Sequence, residues 1–197
     1  MNKLSHIIIE KILLKFPKFS KRIFNYTSRN QLGRLLNKIK EKKIEIKYVY
    51  DIGANEGEWS NFYKKTSLTD STFYLFEASE SHRKKLEKNN FNFFIGVLSD
   101  KIKTVHFYNN NNSTGDSYFM ENSGNHDNLT PQEIITTTLS EIINQNNLPL
   151  PDLIKIDTQG AEIDILKGAG KALENCKLLY LECPIFENFN KNNLNIL

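Results

Sequence analysis

Ile46-Lys47-Tyr48-Val49-Tyr50-Asp51-Ile52, followed at once by Gly53-Ala54-Asn55-Glu56-Gly57, sets the architecture of the chain. The first seven residues are rich in β-branched and aromatic side chains, which suits a buried strand. Two glycines four apart then permit a tight turn, and Glu58 to Lys65 reads as the helix that follows. Moving outward, the same texture repeats. Thr72 to Phe76 reads as a strand, Ser79 or Ser81 is placed to cap a helix running to about Asn89, and Phe91 to Val97 reads as a third strand. Thr104 to Tyr108 is a short strand leading into Asn109 to Gly115, a stretch of turn formers. Ile134 to Thr137 is extended, and Thr138-x-x-Glu141 is a capping box that opens a helix over Leu139 to Asn146. Leu153 to Ile156 is a buried strand, Ala161 to Leu173 a helix, and Leu178 to Leu181 a final strand. Strands alternating with helices predict an α/β fold, a mainly parallel sheet covered by helices on both faces.

The 46 residues before this unit have a different character. Residues 1 to 47 hold 13 Lys and Arg against 3 Asp and Glu, while the remainder holds 13 against 20, so a basic arm precedes an acidic body. Ile8, Ile9, Ile12, Leu13 and Phe16 fall at helical spacing, and Leu32, Leu35, Leu36 and Ile39 repeat it after Pro17. The expected organisation is a basic amphipathic helical segment over 1–46 and one Rossmann-like domain over 47–197. Nothing in the arm matches a nucleic-acid-binding signature, so no nucleic acid is expected. A sided basic helix does suit peripheral contact with a membrane surface. Glu10, Lys11 and Lys15 interrupt the apolar run from His6 to Phe16, which argues against a spanning or secretory segment. Cys176 and Cys183 read as reduced thiols. The expected location is cytoplasmic, at the inner face of the membrane if the arm binds lipid.

In a parallel sheet, ligands bind at the carboxyl ends of the strands. The first strand ends on Asp51 and a Gly-x-x-x-Gly loop, not the Gly-x-Gly-x-x-Gly of a dinucleotide pyrophosphate site, and an acid there repels phosphate. Asp51 suits a ligand bearing an ammonium group and no phosphate, as in S-adenosylmethionine. The second strand ends on Glu77, placed to accept from both hydroxyls of a ribose. At the third strand end, Gly96 to Asp100 can line an adenine slot, with Ser99 or Asp100 reaching the exocyclic amine. The fourth ends on Asp157, with Gln159 placed to contact either ligand and Glu162 in the first helical turn, where the helix dipole favours a negative charge.

Taken together, Asp51-Ile-Gly-Ala-Asn-x-Gly-x-Trp59-Ser60, Phe76-Glu77, Leu98-Ser99-Asp100, Asp152-Leu-Ile-Lys-Ile-Asp157-x-Gln-Gly-Ala-Glu162-x-x-Ile-Leu-Lys-Gly168-Ala and Leu181-Glu182 resemble the FkbM family of methyltransferases over residues 48 to 183. The resemblance implies a class I methyltransferase fold, S-adenosylmethionine as methyl donor and a hydroxyl acceptor, often on a sugar of a bacterial surface glycan. It implies cofactor contacts at Asp51, Gly53, Asn55, Gly57, Trp59, Glu77, Ala78, Leu98, Ser99 and Asp157, and substrate contacts at Gln159 and Glu162. Ala78 stands where many relatives carry Pro. Relatives continue beyond Glu182 through a further helix and a closing strand pair, so the domain is expected to be shortened at its C-terminus.

Transfer from a sulfonium needs the acceptor oxygen held in line and a base for its proton. The candidates are Asp157, then His126, then Glu182. The unperturbed imidazole pKa of about 6.5 suits that task. No metal is expected, because no cluster has ligand spacing. The expected partner is a small-molecule or glycan substrate, and the oligomeric state is open. The alternatives are a degenerate or truncated S-adenosylmethionine-binding protein without catalysis, and methylation of a nitrogen or a phosphoryl-linked group.

Overall fold

The structure is a computed structural model that describes residues 31–108, 116–119 and 130–182. The helices expected before residue 31, His126, Cys183 and everything after Glu182 lie outside the described residues. The chain divides into two compact units, Met1–Glu45 and Ile46–Leu197. In the first, residues 31–41 form helix α1, with Leu32 and Leu36 buried and Leu35 exposed.

The second unit runs β1 (Tyr48–Ile52), α2 (Glu58–Thr66), β2 (Thr72–Glu77), a 3-10 turn over Glu80–His82, α3 (Arg83–Lys88), β3 (Asn92–Ile95), β4 (Thr104–Phe107) and β5 (Gln132–Ile135). It continues through α4 (Leu139–Asn146), β6 (Leu153–Ile156), α5 (Glu162–Lys167), α6 (Lys171–Asn175) and β7 (Leu178–Leu181). Five strands form one parallel sheet in the order β3-β2-β1-β6-β7. This is the α/β architecture expected from the alternation of strands and helices. Chain order reverses direction between β1 and β6, the switch point at which such sheets open a ligand crevice.

β1 is paired on both sides and its last four residues are buried, which is why its sequence is a nearly continuous apolar run. Tyr50, Ile52, Phe76, Ile154 and Ile156 meet Leu139, Ile165 and Ala172 from the covering helices, and Ala169 from the turn between α5 and α6, in one core. Each fully buried large aliphatic side chain contributes about 1.5–3 kcal/mol. Helix α4 starts as its sequence requires: the Glu141 N–H donates to Thr138 Oγ1 at 3.0 Å. Among the described residues, no helix is long and apolar enough to cross a membrane.

Three local expectations are corrected. The segment from Ala161 to Leu173 is two helices, because Gly170 takes φ 50°, ψ −129° and breaks the turn between them. Ser79 forms no side-chain cap; its hydroxyl pairs with Ser81 Oγ at 2.8 Å. The extended stretch before α4 covers Gln132–Ile135 and pairs antiparallel with β4 in a separate two-stranded sheet. That small sheet stays attached to the main one through a backbone bridge between Leu98 and Thr137.

Candidate functional site

A cleft with about 760 Å³ of empty space, partly open to solvent, lies at the carboxyl ends of β1, β2, β3 and β6. Gly53, Asn55, Glu77, Ala78, Leu98, Asp157 and Gln159, all singled out from sequence, line it.

The floor is the loop after β1. Gly53 sits at φ 72°, and a Cβ there would meet the Asp157 carbonyl oxygen at 1.9 Å, so only glycine lets the two strand-end loops touch. The Gly53 and Ala54 amides both donate to Phe76 O, at 2.9 and 3.1 Å, tying this loop to the end of β2. Asn55 takes the left-handed conformation at φ 51° and donates its amide to Glu77 Oε2 at 2.7 Å. Glu77 Oε1 accepts from the Ser79 amide at 2.9 Å. Two backbone donors thus clamp one carboxylate, which keeps further lone pairs for a ligand because each oxygen carries two. Burial raises the Glu77 pKa above the ordinary value; the two amides and nearby His82 oppose the rise, and Asp116 adds to it.

Beneath the floor, Asp51 and Lys155 are direct partners in the β1–β6 register. Asp51 is fully buried, its Oδ2 accepting from the Ser60 hydroxyl at 2.6 Å and its Oδ1 lying 2.9 Å from Lys155 Nζ. Asp51 therefore lies below the cleft and not on its lining. Asp157 closes the far side. Burial pushes its carboxyl up, Lys155 Nζ at 3.8 Å pulls it down, Asp51 pushes it up, and the Gln159 amide at 3.3 Å stabilises the charge; the balance is a raised pKa.

Glu162 is buried and turned into its own loop, where Oε1 accepts from the Thr158 amide (3.2 Å), the Thr158 hydroxyl (3.2 Å) and the Gly160 amide (2.9 Å). This holds the left-handed turn at Gln159 and Gly160. Gly57, at φ 77°, packs against Leu75 and Asn89, and Trp59 packs on Tyr63 and Tyr180; neither lines the cleft. Ser99 is fully buried, bonded to Asp100 at 3.1 Å and Tyr118 at 3.2 Å. Glu182 is exposed just past β7 and outside the lining.

The lining also includes residues that sequence reasoning left without a role. Residues 116–118 form one wall. Ser117 bridges to Tyr108 in the backbone and donates its hydroxyl to Gln159 O at 3.0 Å, while the Tyr118 hydroxyl bonds Asp164 at 3.2 Å. Asp116, Ser117, Tyr118, Phe107 and His82 all face the cleft. Asp116 to Tyr118 adjoin a run of turn formers, which carries no periodicity to place them. Lys155 stands inside the motif that carries the family resemblance, but sequence reasoning assigned it no role.

The described lining holds three carboxylates, Glu77, Asp116 and Asp157, beside an apolar end formed by Val97, Leu98, Phe107 and Ile165. Such a surface suits a ligand with an apolar ring, a diol and positive charge, and it opposes a pyrophosphate. S-adenosylmethionine, with an adenine, a ribose, a sulfonium and an ammonium, fits these residues. Among the described residues no group of three His, Cys, Asp or Glu side chains could hold a metal ion.

Comparison with known proteins finds methyltransferases. The chain is 24% identical over 151 residues to the hexuronic acid methyltransferase AglP of Haloferax volcanii, a match covering 72% of this chain and 58% of that protein. The chain thus spans little more than half of that relative's length. The crystal structure of methyltransferase FkbM from Methylobacillus flagellatus KT matches with a TM-score of 0.47 and 18% identity, over 71% of this chain and 33% of the other. The family model of the methyltransferase FkbM domain matches residues 51–194, most of the α/β unit, and the chain belongs to that family.

Proposed function

We propose that the chain transfers a methyl group from S-adenosylmethionine to a hydroxyl of a sugar or glycan precursor. The observation that carries this reading is the Glu77 carboxylate, clamped by the Asn55 and Ser79 amides at the edge of an acidic, partly apolar cleft. Glu77 would accept from the ribose hydroxyls, and Val97 and Leu98 would flank the adenine. The carboxylates of Asp157 and Asp116 favour a cationic donor over its neutral-sulfur product. When bound, the donor supplies an already activated methyl group on a sulfonium.

The protein's task is then to hold the acceptor oxygen behind that methyl and to take its proton. Asp157 would be the base: its raised pKa makes it a better proton acceptor than an ordinary aspartate, and the Gln159 amide orients it. The sugar acceptor is supported by the hexuronic acid methyltransferase relative.

Isothermal titration with S-adenosylmethionine, on the wild type and a Glu77→Ala variant, tests the cofactor half. Losing a charged hydrogen-bonding group should weaken binding by about 10- to 100-fold. A folded wild type that binds neither the donor nor its demethylated product would sink the proposal. Transfer of labelled methyl to neutral and acidic sugar glycosides then tests the acceptor half.

A further inference from the structure

Lys155 is a lysine in the middle of a fully buried strand, flanked by Ile154 and Ile156, with 4% of its side chain exposed. Its Nζ lies 2.9 Å from Asp51 Oδ1, donates to Gly53 O at 2.9 Å, approaches Ile52 O at 3.4 Å and stands 3.8 Å from Asp157 Oδ2. One ammonium therefore touches the end of β1, the first glycine of the cofactor loop and the carboxylate at the end of β6. A buried ion pair contributes little to stability when a well-packed apolar pair could replace it. The extra contacts to Gly53 and Asp157 set this pair apart from a simple core pair.

We propose that Lys155 is a positioning residue that locks the Gly53 carbonyl and the Asp157 carboxylate into one rigid unit and keeps Asp157 charged in the cleft. The proposal rests on the reading of this cleft as the donor and acceptor site. Asp51 serves Lys155 as the counter-ion that lets an ammonium remain charged without water. The charged and titratable groups that act on Asp157 are Asp51 on β1, Lys155 on β6 and Tyr180 on β7, while Glu182, just past β7, acts on Lys155 and Tyr180. Lys155 is the cation among them. Removing it leaves Asp157 with burial, the neighbouring carboxylates and the single Gln159 side-chain amide.

The test is the carboxyl carbon-13 titration of Asp157 by NMR, in wild type, Lys155→Met and Asp51→Asn/Lys155→Met, with the pH profile of S-adenosylmethionine binding measured alongside. The double substitution removes both buried charges and keeps the test open if Lys155→Met alone does not fold. An opposite charge at this range lowers a carboxyl pKa by about 1–3 units, so the Asp157 midpoint should rise by at least about one pH unit in Lys155→Met. It should rise by less in the double variant, where Asp51's repulsion is also gone. The Gly53 amide resonance should shift in both, the pH at which the donor begins to bind should move up with the midpoint, and Lys155→Arg should restore most of the effect. An unchanged Asp157 midpoint in folded Lys155→Met, or in the double variant should Lys155→Met not fold, overturns the proposal. Should the wild type bind no donor, the Asp157 midpoint still decides the role of Lys155, and the functional reading alone falls.

Discussion

Glu77 accepts two backbone amides and is nevertheless held above the ordinary carboxylate pKa by burial. A carboxyl with a raised folded-state pKa favours the folded state fully below its unfolded pKa, and that contribution disappears as pH rises through the folded value. The wild type should therefore lose stability relative to Glu77→Gln as pH rises from about 4 through the raised folded value, measured by urea unfolding at a series of pH values. Parallel curves for the two proteins would contradict this. Gly53 is the second residue with a sharp expectation. A methyl there would sit 1.9 Å from the Asp157 carbonyl in a left-handed backbone, so Gly53→Ala should cost roughly 2–5 kcal/mol of strain and overpacking. Denaturant titration would register that loss, and cofactor binding should go with it.

Between elements, Asp152 is the knot. Its Oδ2 accepts the Lys47 and Tyr48 amides at 2.8 and 2.9 Å, Oδ1 pairs with Lys177 at 2.6 Å, and its carbonyl accepts the Lys177 and Leu178 amides. One residue thereby fixes the starts of β1, β6 and β7 in register. Burial works against its charge, but Lys177 and the two amides outweigh it and hold the carboxyl below the usual range. A lowered folded-state pKa gives stability that is present above the unfolded value and is lost as pH falls through the folded one. Asp152→Asn should cost about 1–3 kcal/mol at neutral pH, with a difference from wild type that shrinks in acid, as read from unfolding curves at pH 7 and below 3. A second inter-element contact is steric: a Cβ on Gly168 would meet Ser99 O at 2.2 Å. Gly168→Ala should push α5 off the turn after β3 and cost about 1–3 kcal/mol, visible as a lowered melting temperature.

For the whole molecule, the cleft couples ligand to stability. Four strand ends and the 116–118 wall meet only in the folded chain, so a ligand held there binds the native state alone. Saturation at about 100 times the dissociation constant adds about 2.7 kcal/mol. At about 2–4 °C per kcal/mol for a chain of this size, S-adenosylmethionine should raise the melting temperature by roughly 5–11 °C. A melt that does not respond to the donor would argue against this cleft as its site.

Alternation of apolar runs with helical spacing was enough to place the five parallel strands, because the period of side-chain direction is a local property of the backbone. The strand-end rule then brought Gly53, Glu77, Leu98, Asp157 and Gln159 to one cleft before any contact was known, and the family resemblance added Asn55 and Ala78. Which way each carboxylate faces was another matter. Asp51, Glu77, Asp157 and Glu162 read alike as acids near strand ends, yet Asp51 lies under the floor against Lys155, and Glu162 turns into its own loop. Their directions depend on cross-strand register and on left-handed turns at Asn55, Gln159 and Gly160, set by contacts as many as 104 residues apart in sequence. The wall at 116–118 lies in the polar stretch 109–130 expected to fold over the acceptor site, but its individual residues could not be placed, since bonds to Gln159 and Asp164 hold them and no periodicity of their own does. Sequence determined the sheet and the chemistry available at its edge; only the tertiary structure decided which carboxylates meet a ligand and which hold the site together, because burial and partner distance are properties of the packed chain.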